Sequence, residues 1–362
     1  MSSTFAFLVH PRDLRDVYIR FPILKLLPDK LVFLLLRVMP PVHVSNIRGL
    51  VDKKGVEIKG YVISIPLTAK QMIEDGKLTI KKSRQAVKFA SKKGVKVIGL
   101  GGMVASLTRG GIDLAGIDNQ IKLTSGRAYT VFTVTNYVKR VIDDFGLDKS
   151  KVKVAIVGAA GSIGSSCAEL LVEWGIKDIL LIDLERKLDD LETKIQHIKN
   201  YNKHPLTIRK SHKINEISLA DIIIAATNAP EVVIKEIDLK PGSIVINDAQ
   251  PSDVSPEVLS REDVLVIEGG VIRTPGIKSN FDFGLMEKED NFCCLGEVII
   301  LSFNGIETDF STGYLDSKYV AEIEKMSQKL GFAITKYQNI SGYITDDKMN
   351  TVKNIIKKRY HD

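Results

Sequence analysis

Between residues 151 and 270, short unbroken apolar runs recur at intervals and are separated by polar turns. "KVKVAIVGA", "DILLIDL", "LTIRKSH", "ADIIIAATN", "SIVINDA" and "VLVIEGG" each read as a strand. Their apolar residues are consecutive rather than alternating, so both faces of each strand are expected to be covered, as in a parallel sheet with helices on either side. The helical patterns "SIGSSCAELLVEWG" and "LDDLETKIQHIKN" separate the first three runs. This alternation predicts a doubly wound α/β unit. Ahead of it, Val131, Val134, Tyr137, Val138, Val141, Ile142 and Phe145 recur at helical spacing and predict an amphipathic helix within 129–147.

The first 125 residues hold strand-like "FAFLVH" and "VKVIGLGG" and helix-like "SRQAVKFASKKG", a second α/β pattern. The most apolar stretch, "LVFLLLRVMPPV" at 31–42, is interrupted by Arg37 and stopped by Pro40 and Pro41. It is far shorter than the roughly 20 apolar residues of a membrane-spanning helix. It predicts a buried helix, with an apolar wall for a greasy substrate or a surface touching a bilayer as sharper alternatives. After residue 290, "CCLGEVIILSFNG" and "YVAEIEKMSQKLG" read as helices. The expected organisation is a two-domain α/β protein. Residues 1–128 form an N-terminal α/β substrate domain and 129–290 a Rossmann-type dinucleotide-binding domain. The C-terminal helices of 291–362 are expected to return across the interdomain cleft.

Composition narrows the classes. The 362 residues are 44% hydrophobic and 26% charged, a globular balance with room for two cores. Of three cysteines, Cys293 and Cys294 are adjacent and Cys167 is distant, which argues against a disulfide framework and for a reducing, cytoplasmic compartment. The histidines are scattered without zinc-ligand spacing, so no metal is expected. The N-terminal "MSSTFAFLVHPRD" has no basic stretch followed by an apolar run, so no signal peptide is read. The net charge is +7, with basic clusters such as "KKSR" and "SKKGVK". These read as solvated faces rather than a nucleic-acid site, and they suit an acidic protein partner or a phosphate-bearing carrier.

The chemistry concentrates in two places. "GAAGSIG" follows a strand and opens a helix, with Gly158, Gly161 and Gly164 framing Ala160, Ser162 and Ile163. A glycine turn lets the backbone approach a pyrophosphate, and the helix N-terminus meets its charge with N–H groups. Asp183, 19 residues beyond Gly164, ends the next strand, where a carboxylate accepts hydrogen bonds from ribose hydroxyls. A carboxylate there repels a 2′-phosphate, favouring NADH over NADPH; Arg186 and Lys187 are placed to hold that phosphate instead. Thr227 and Asn228 end one strand, and Gly269 and Gly270 another, at the sheet edge that faces a ligand, although ordinary turn chemistry explains them nearly as well.

The second place is "NFCCLGEVIIL". Adjacent helical side chains diverge by about 100°, so only one of Cys293 and Cys294 faces a given site. A thiol near a helix N-terminus has its thiolate favoured by the dipole. Coupled to a nicotinamide domain, such a thiolate suggests attack on an acyl thioester, followed by hydride reduction of the acyl-enzyme to an aldehyde. Cys167, by contrast, reads as a small buried hydrophobe.

Here the sequence resembles the long-chain acyl-[acyl-carrier-protein] reductases of cyanobacteria, which make fatty aldehydes. The resemblance runs through "FAFLVH" (5–10), "PPVHVSNIRG" (40–49), "VEIKGYVIS" (56–64), "IGLGGM" (98–103) and "LTSGRAYT" (123–130). It continues in "VGAAGSIGSS" (157–166), "INDAQP" (246–251) and "EGGVI" (268–272). "FCCLGEVIILSFNG" (292–305) and "TDFSTG" (308–313) are its most specific segments. The resemblance implies that Cys294 is the nucleophile and that Glu297 is the family's nearby glutamate. It implies acyl-carrier protein or coenzyme A as the acyl donor. Two departures stand out: cyanobacterial members use NADPH where Asp183 here favours NADH, and residues 11–39 match poorly. His10, at the end of the first strand, is a candidate proton donor, with an ordinary core or surface role as its alternative.

Two other readings compete. One is a dehydrogenase of the shikimate or amino-acid type without a covalent step, which needs an acid/base pair in the first domain that no motif supplies. The other is a non-catalytic dinucleotide sensor, which the cysteine beside an intact glycine loop argues against.

Overall fold

The computed structural model describes residues 4–202, 204–306 and 308–361. The chain forms two compact units, Met1–Tyr129 with Ile272–Ala333, and Thr130–Val271 with Ile334–Asp362.

The first unit is built on β1 (Phe5–Val9), β2 (Val42–Arg48), β3 (Gly60–Ser64), β4 (Val97–Leu100) and β5 (Lys122–Thr124). The sheet order is Lys278–Ser279, β2, β3, β1, β4, β5. β3, β1, β4 and β5 run parallel, while β2 and Lys278–Ser279 form an antiparallel edge. Phe5, Ala6 and Leu8 are all fully buried, as a strand covered on both faces requires. One face carries a core in which Leu8, Ile63, Ile98 and Leu123 meet Ala86 and Val87 of the helix Gly76–Ser91. The other face receives the helix Cys293–Asn304, and Gly99 in β4 makes its approach possible. A Cβ at Gly99 would lie 2.9 Å from the Val298 side chain.

The apolar stretch 31–42 falls within a small helical arm of Leu14–Arg20, the 3-10 turn Pro22–Leu26 and Asp29–Val38. The expected buried helix is only half buried. Val32 and Leu36 join Leu14 and Val17 in a satellite cluster, whereas Leu31, Leu34 and Val38 face solvent. The helix ends before Pro40, whose ring restricts the preceding residue to extended geometry.

The second unit holds β6 (Lys153–Val157), β7 (Asp178–Ile182), β8 (Thr207–Ser211), β9 (Ile222–Ala225), β10 (Ile244–Asn247) and β11 (Leu265–Glu268). All pairings are parallel, in the order β8, β7, β6, β9, β10, β11. This is the doubly wound dinucleotide-binding topology, and its order reverses between β6 and β9. The helix Arg127–Phe145 buries all seven residues that predicted it, Val131 through Phe145.

The chain returns to the first unit at Ile272 rather than after residue 290, and residues 291–362 are shared between the units instead of standing as one segment. The physical reason lies in the contacts. Lys278–Ser279 pairs with β2, and Cys293–Asn304 covers β1 and β4, which commits this stretch to the first sheet. The final helix, Asp346–His361, is committed to the second unit by Arg359 and Tyr360, which both bind the buried carboxylate of Asp221. Among the described residues, no helix is long and apolar enough to cross a membrane.

Candidate active site

In the first unit, Cys294 is the second residue of the helix Cys293–Asn304, which follows the extended Phe292 without a side-chain cap. Cys294 therefore lies in the first turn, at the positive end of the helix. Cys294 is half-buried, whereas its neighbour Cys293 is 1% exposed and belongs to the core. The loop after β5 meets Cys294 at Gly126, whose φ is +77°. A Cβ there would stand 2.3 Å from the Cys294 Cβ, so only glycine permits this approach.

Glu297, one helical turn beyond Cys294, is completely buried. Its carboxylate accepts from the Tyr129 N–H at 2.8 Å, the Gly126 N–H at 3.2 Å and the Ser311 hydroxyl at 2.7 Å. The Thr124 hydroxyl donates to it as well. Burial pushes its pKa up, while the bonds from Thr124, Tyr129, Ser311 and Gly126 pull it down. Glu297 thus anchors the start of the helix Arg127–Phe145 and the loop beneath Cys294. Ser125 and Arg127 complete the frame: the Ser125 hydroxyl donates to the Ser311 carbonyl at 2.6 Å, and Arg127 donates to the carbonyls of Gly313 and Ala105. Ser311 holds a left-handed φ of +51°, a strained conformation fixed by these bonds. Ser125, Gly126 and Ser311 escaped the sequence reading as site residues. They sit in "LTSGRAYT" and "TDFSTG", and only the fold shows that those segments meet.

His10 follows β1. Its Nε2 accepts the Met103 N–H at 3.2 Å, and its Nδ1–H donates to the Pro11 carbonyl at 3.0 Å. Burial lowers its pKa, so the ring is a neutral Nδ1–H tautomer with both nitrogens engaged. His10 lines an apolar cavity whose walls include Phe21, Leu36, Met39, Val42 and Phe281. The cavity and the thiol share the C-terminal edge of the parallel strands, since His10 follows β1 and Gly126 follows β5. β1 and β5 are two strand spacings apart, roughly 10 Å.

In the second unit the glycine loop follows β6. Gly158 has φ +84°, and a Cβ on it would come 2.5 Å from the Ala226 carbonyl oxygen. Gly161 is the N-cap of the helix Ser162–Trp174 and brings no side chain over the amides of Ser162 and Ile163. A Cβ at Gly164 would lie 2.6 Å from the Gly158 oxygen, so the helix packs directly on the turn. Asp183, just after β7, accepts from the N–H groups of Ala160 and Leu184, each at 2.8 Å. Lys187 pairs with Asp190 at 2.6 Å, and Arg186 is exposed. These residues fit a dinucleotide: a bare helix N-terminus for its pyrophosphate, a close backbone turn, and a carboxylate for its ribose.

Thr227 and Asn228 follow β9. Thr227 touches the glycine turn, with its Cα 3.2 Å from the Cβ position of Gly158. The Thr227 hydroxyl donates to the buried Asp253 at 2.5 Å. Gly269 and Gly270 lie farther along the sheet. Their Cβ positions meet Ile246 and Asp248, each at 2.6 Å, rather than the glycine loop. Around them burial pushes Glu268 up to about 7 and raises Asp248 and Asp253. Cys167 is fully buried, and burial drives its thiol well above the ordinary range, as for a packing residue. Among the described residues, no group of side chains is arranged to hold a metal ion.

The profile of the shikimate/quinate 5-dehydrogenase family matches residues 140–268, within the dinucleotide-type unit. The chain is 25% identical over 320 residues to the aminotransferase PigE of a Serratia species, covering 87% of this chain and 36% of that protein. It therefore spans about a third of the length of that relative. The long-chain acyl-[acyl-carrier-protein] reductase of Synechococcus elongatus is 28% identical over 252 residues, 66% of this chain and 70% of the relative. A glutamyl-tRNA reductase of Methanococcus maripaludis is 30% identical over 123 residues, 33% of this chain and 30% of its own. Two of these relatives are reductases by name, and the matched profile is of dehydrogenases. The chain is similar to oxidoreductases built on a dinucleotide-binding fold.

Proposed function

We propose that this chain reduces a long-chain fatty acyl thioester to a fatty aldehyde through an acyl-enzyme on Cys294. The observation that carries the reading is the seat of Cys294: a half-buried thiol in the first turn of a helix, held against Gly126 by the fully bonded Glu297. The Cys294 thiolate attacks the thioester carbonyl; the new C–S bond forms as the bond to the carrier sulfur breaks, and the carrier leaves as a thiol after gaining a proton. A dinucleotide at the glycine loop supplies, when bound, the hydride that the acyl carbon accepts. Collapse of the resulting hemithioacetal returns the Cys294 thiolate and releases the aldehyde. Glu297 acts by positioning, because its oxygens are occupied by the loop and helix amides. The neutral His10 forms part of the wall of the apolar cavity, which suits the acyl tail.

Asp183 supports NADH as the reductant, since its carboxylate is set to accept ribose hydroxyls and to repel a 2′-phosphate. The donor is acyl-carrier protein or acyl-coenzyme A, and the similarity to an acyl-carrier-protein reductase favours the former. Intact mass spectrometry after incubation with palmitoyl thioesters and no reductant tests the covalent step. The wild-type chain and Cys293→Ser are expected to carry one acyl group, and Cys294→Ser none while still binding NADH. Aldehyde formation by Cys294→Ser would overturn the reading.

A further inference from the structure

The helical arm of residues 14–38 presents an apolar surface that no other described residue covers. Ile19, Ile23, Leu26 and Val38 are 78%, 73%, 83% and 73% exposed, and Leu34 is 58% exposed. In the helix Asp29–Val38 the arrangement is two-sided. Val32 and Leu36 form the buried stripe, whereas Leu31, Leu34 and Val38, at i, i+3 and i+7, form a second apolar stripe toward solvent. Ile23 and Leu26 lie three apart in the 3-10 turn and so share an edge.

Cations are interleaved with these side chains. The arm's carboxylates are already engaged: Asp13 with Arg15, Asp16 with Arg12, and Asp29 with the Tyr18 hydroxyl. Arg37 is paired with Asp75. Arg20, Lys25 and Lys30 are exposed and, among the described residues, have no carboxylate within ion-pair distance.

We propose that this arm docks the protein on an anionic lipid surface, with the aliphatic stripe entering the headgroup boundary and Lys25 and Lys30 meeting lipid phosphates. The composition favours lipid over other occupants. A two-fold contact with a second copy would set these cations near their own equivalents. A protein interface core is enriched in aromatic residues and Met, and none of the exposed apolar residues is either. The inner side of the same arm lines the largely apolar cavity through Phe21, Leu36 and Met39, with Asp16 and Arg20 also on its wall. One segment therefore presents an apolar surface outward and a largely apolar wall inward. The inference goes beyond the reaction assigned to Cys294 and does not depend on it.

Co-sedimentation of the full chain with phosphatidylcholine vesicles, and with vesicles containing phosphatidylglycerol, tests the docking. Binding is expected to be strong to the anionic vesicles and weaker to the neutral ones, and to decline with salt. The double variant Ile23→Ser/Leu26→Ser should lose about tenfold or more in affinity. Lys25→Glu/Lys30→Glu should fall to the level of neutral lipid. These side chains face solvent, so circular dichroism should show an unchanged fold, and Cys294→Ser should bind vesicles like the wild type. The proposal is overturned by absence of vesicle binding, or by equal binding of the Ile23→Ser/Leu26→Ser protein. It is also overturned if the arm variants alter only oligomeric state or capture of acyl-carrier protein.

Discussion

Gly126 decides how closely the loop after β5 can approach Cys294. Its φ of +77° and the 2.3 Å overlap of a Cβ with the Cys294 Cβ mean that alanine must push the loop or the helix end aside. Displacements of this size in a reacting geometry cost roughly 100-fold. Gly126→Ala is therefore expected to form the acyl adduct about two orders of magnitude more slowly, with NADH binding unchanged; time-resolved intact mass spectrometry would show it. Glu268 makes a different, titratable contribution. Burial raises its carboxyl from the ordinary 4.5 to about 7, so folding takes up a proton between those values. The stability tied to this group is fully present below pH 4.5 and is lost as pH rises through about 7. The full span amounts to about 3 kcal/mol. Glu268→Gln should flatten that window, so its melting temperature gains on the wild type as pH rises from 5 to 8. Neither effect was legible in the sequence. Gly126 and Glu268 lie in segments that carry the family resemblance, but their own roles come from burial and from neighbours distant along the chain.

At the level of elements, the glycine turn and Asp183 act together, since Asp183 accepts the Ala160 N–H of that turn. This bond holds the carboxylate beside the glycine turn, and the nearby Lys187 is already paired with Asp190. NADH is expected to show the higher kcat/KM, and Asp183→Ser should shift the ratio toward NADPH by roughly tenfold, about 1.4 kcal/mol. Steady-state kinetics with both cofactors check this, and a wild-type preference for NADPH would mean Arg186 dominates. The strands of this unit were readable because β6, β9, β10 and β11 are consecutive apolar runs, which only a sheet covered on both faces requires. The edge strand Lys278–Ser279 has two residues and no pattern, so the early return at Ile272 left no signal. The arm misled for another reason. Its greasy run looks like core, yet the first unit buries only Val32 and Leu36 from the helix that carries it.

At the scale of the whole molecule, the proposed chemistry draws on residues brought together from far along the chain. The first unit sets Gly126 against Cys294 and bonds Glu297 to Gly126 and Ser311, and it gathers Phe21, Met39 and Phe281 around one cavity. If that cavity holds the acyl tail, chain-length preference is set by the arm and not by the thiol. Each methylene buried is worth about 0.8 kcal/mol, or roughly fourfold in binding. kcat/KM should therefore climb with acyl length until the cavity is filled. Met39 lines the cavity from the end of the arm, and Met39→Trp should fill part of it. That variant is expected to lose activity on long acyl thioesters by tenfold or more while keeping that on short ones, because Cys294, Gly126 and Glu297 are untouched. A series of acyl-coenzyme A substrates of increasing length, assayed with both proteins, measures the shift. Equal losses at every length would mean that the tail lies elsewhere, and an unchanged profile would mean that Met39 does not face it.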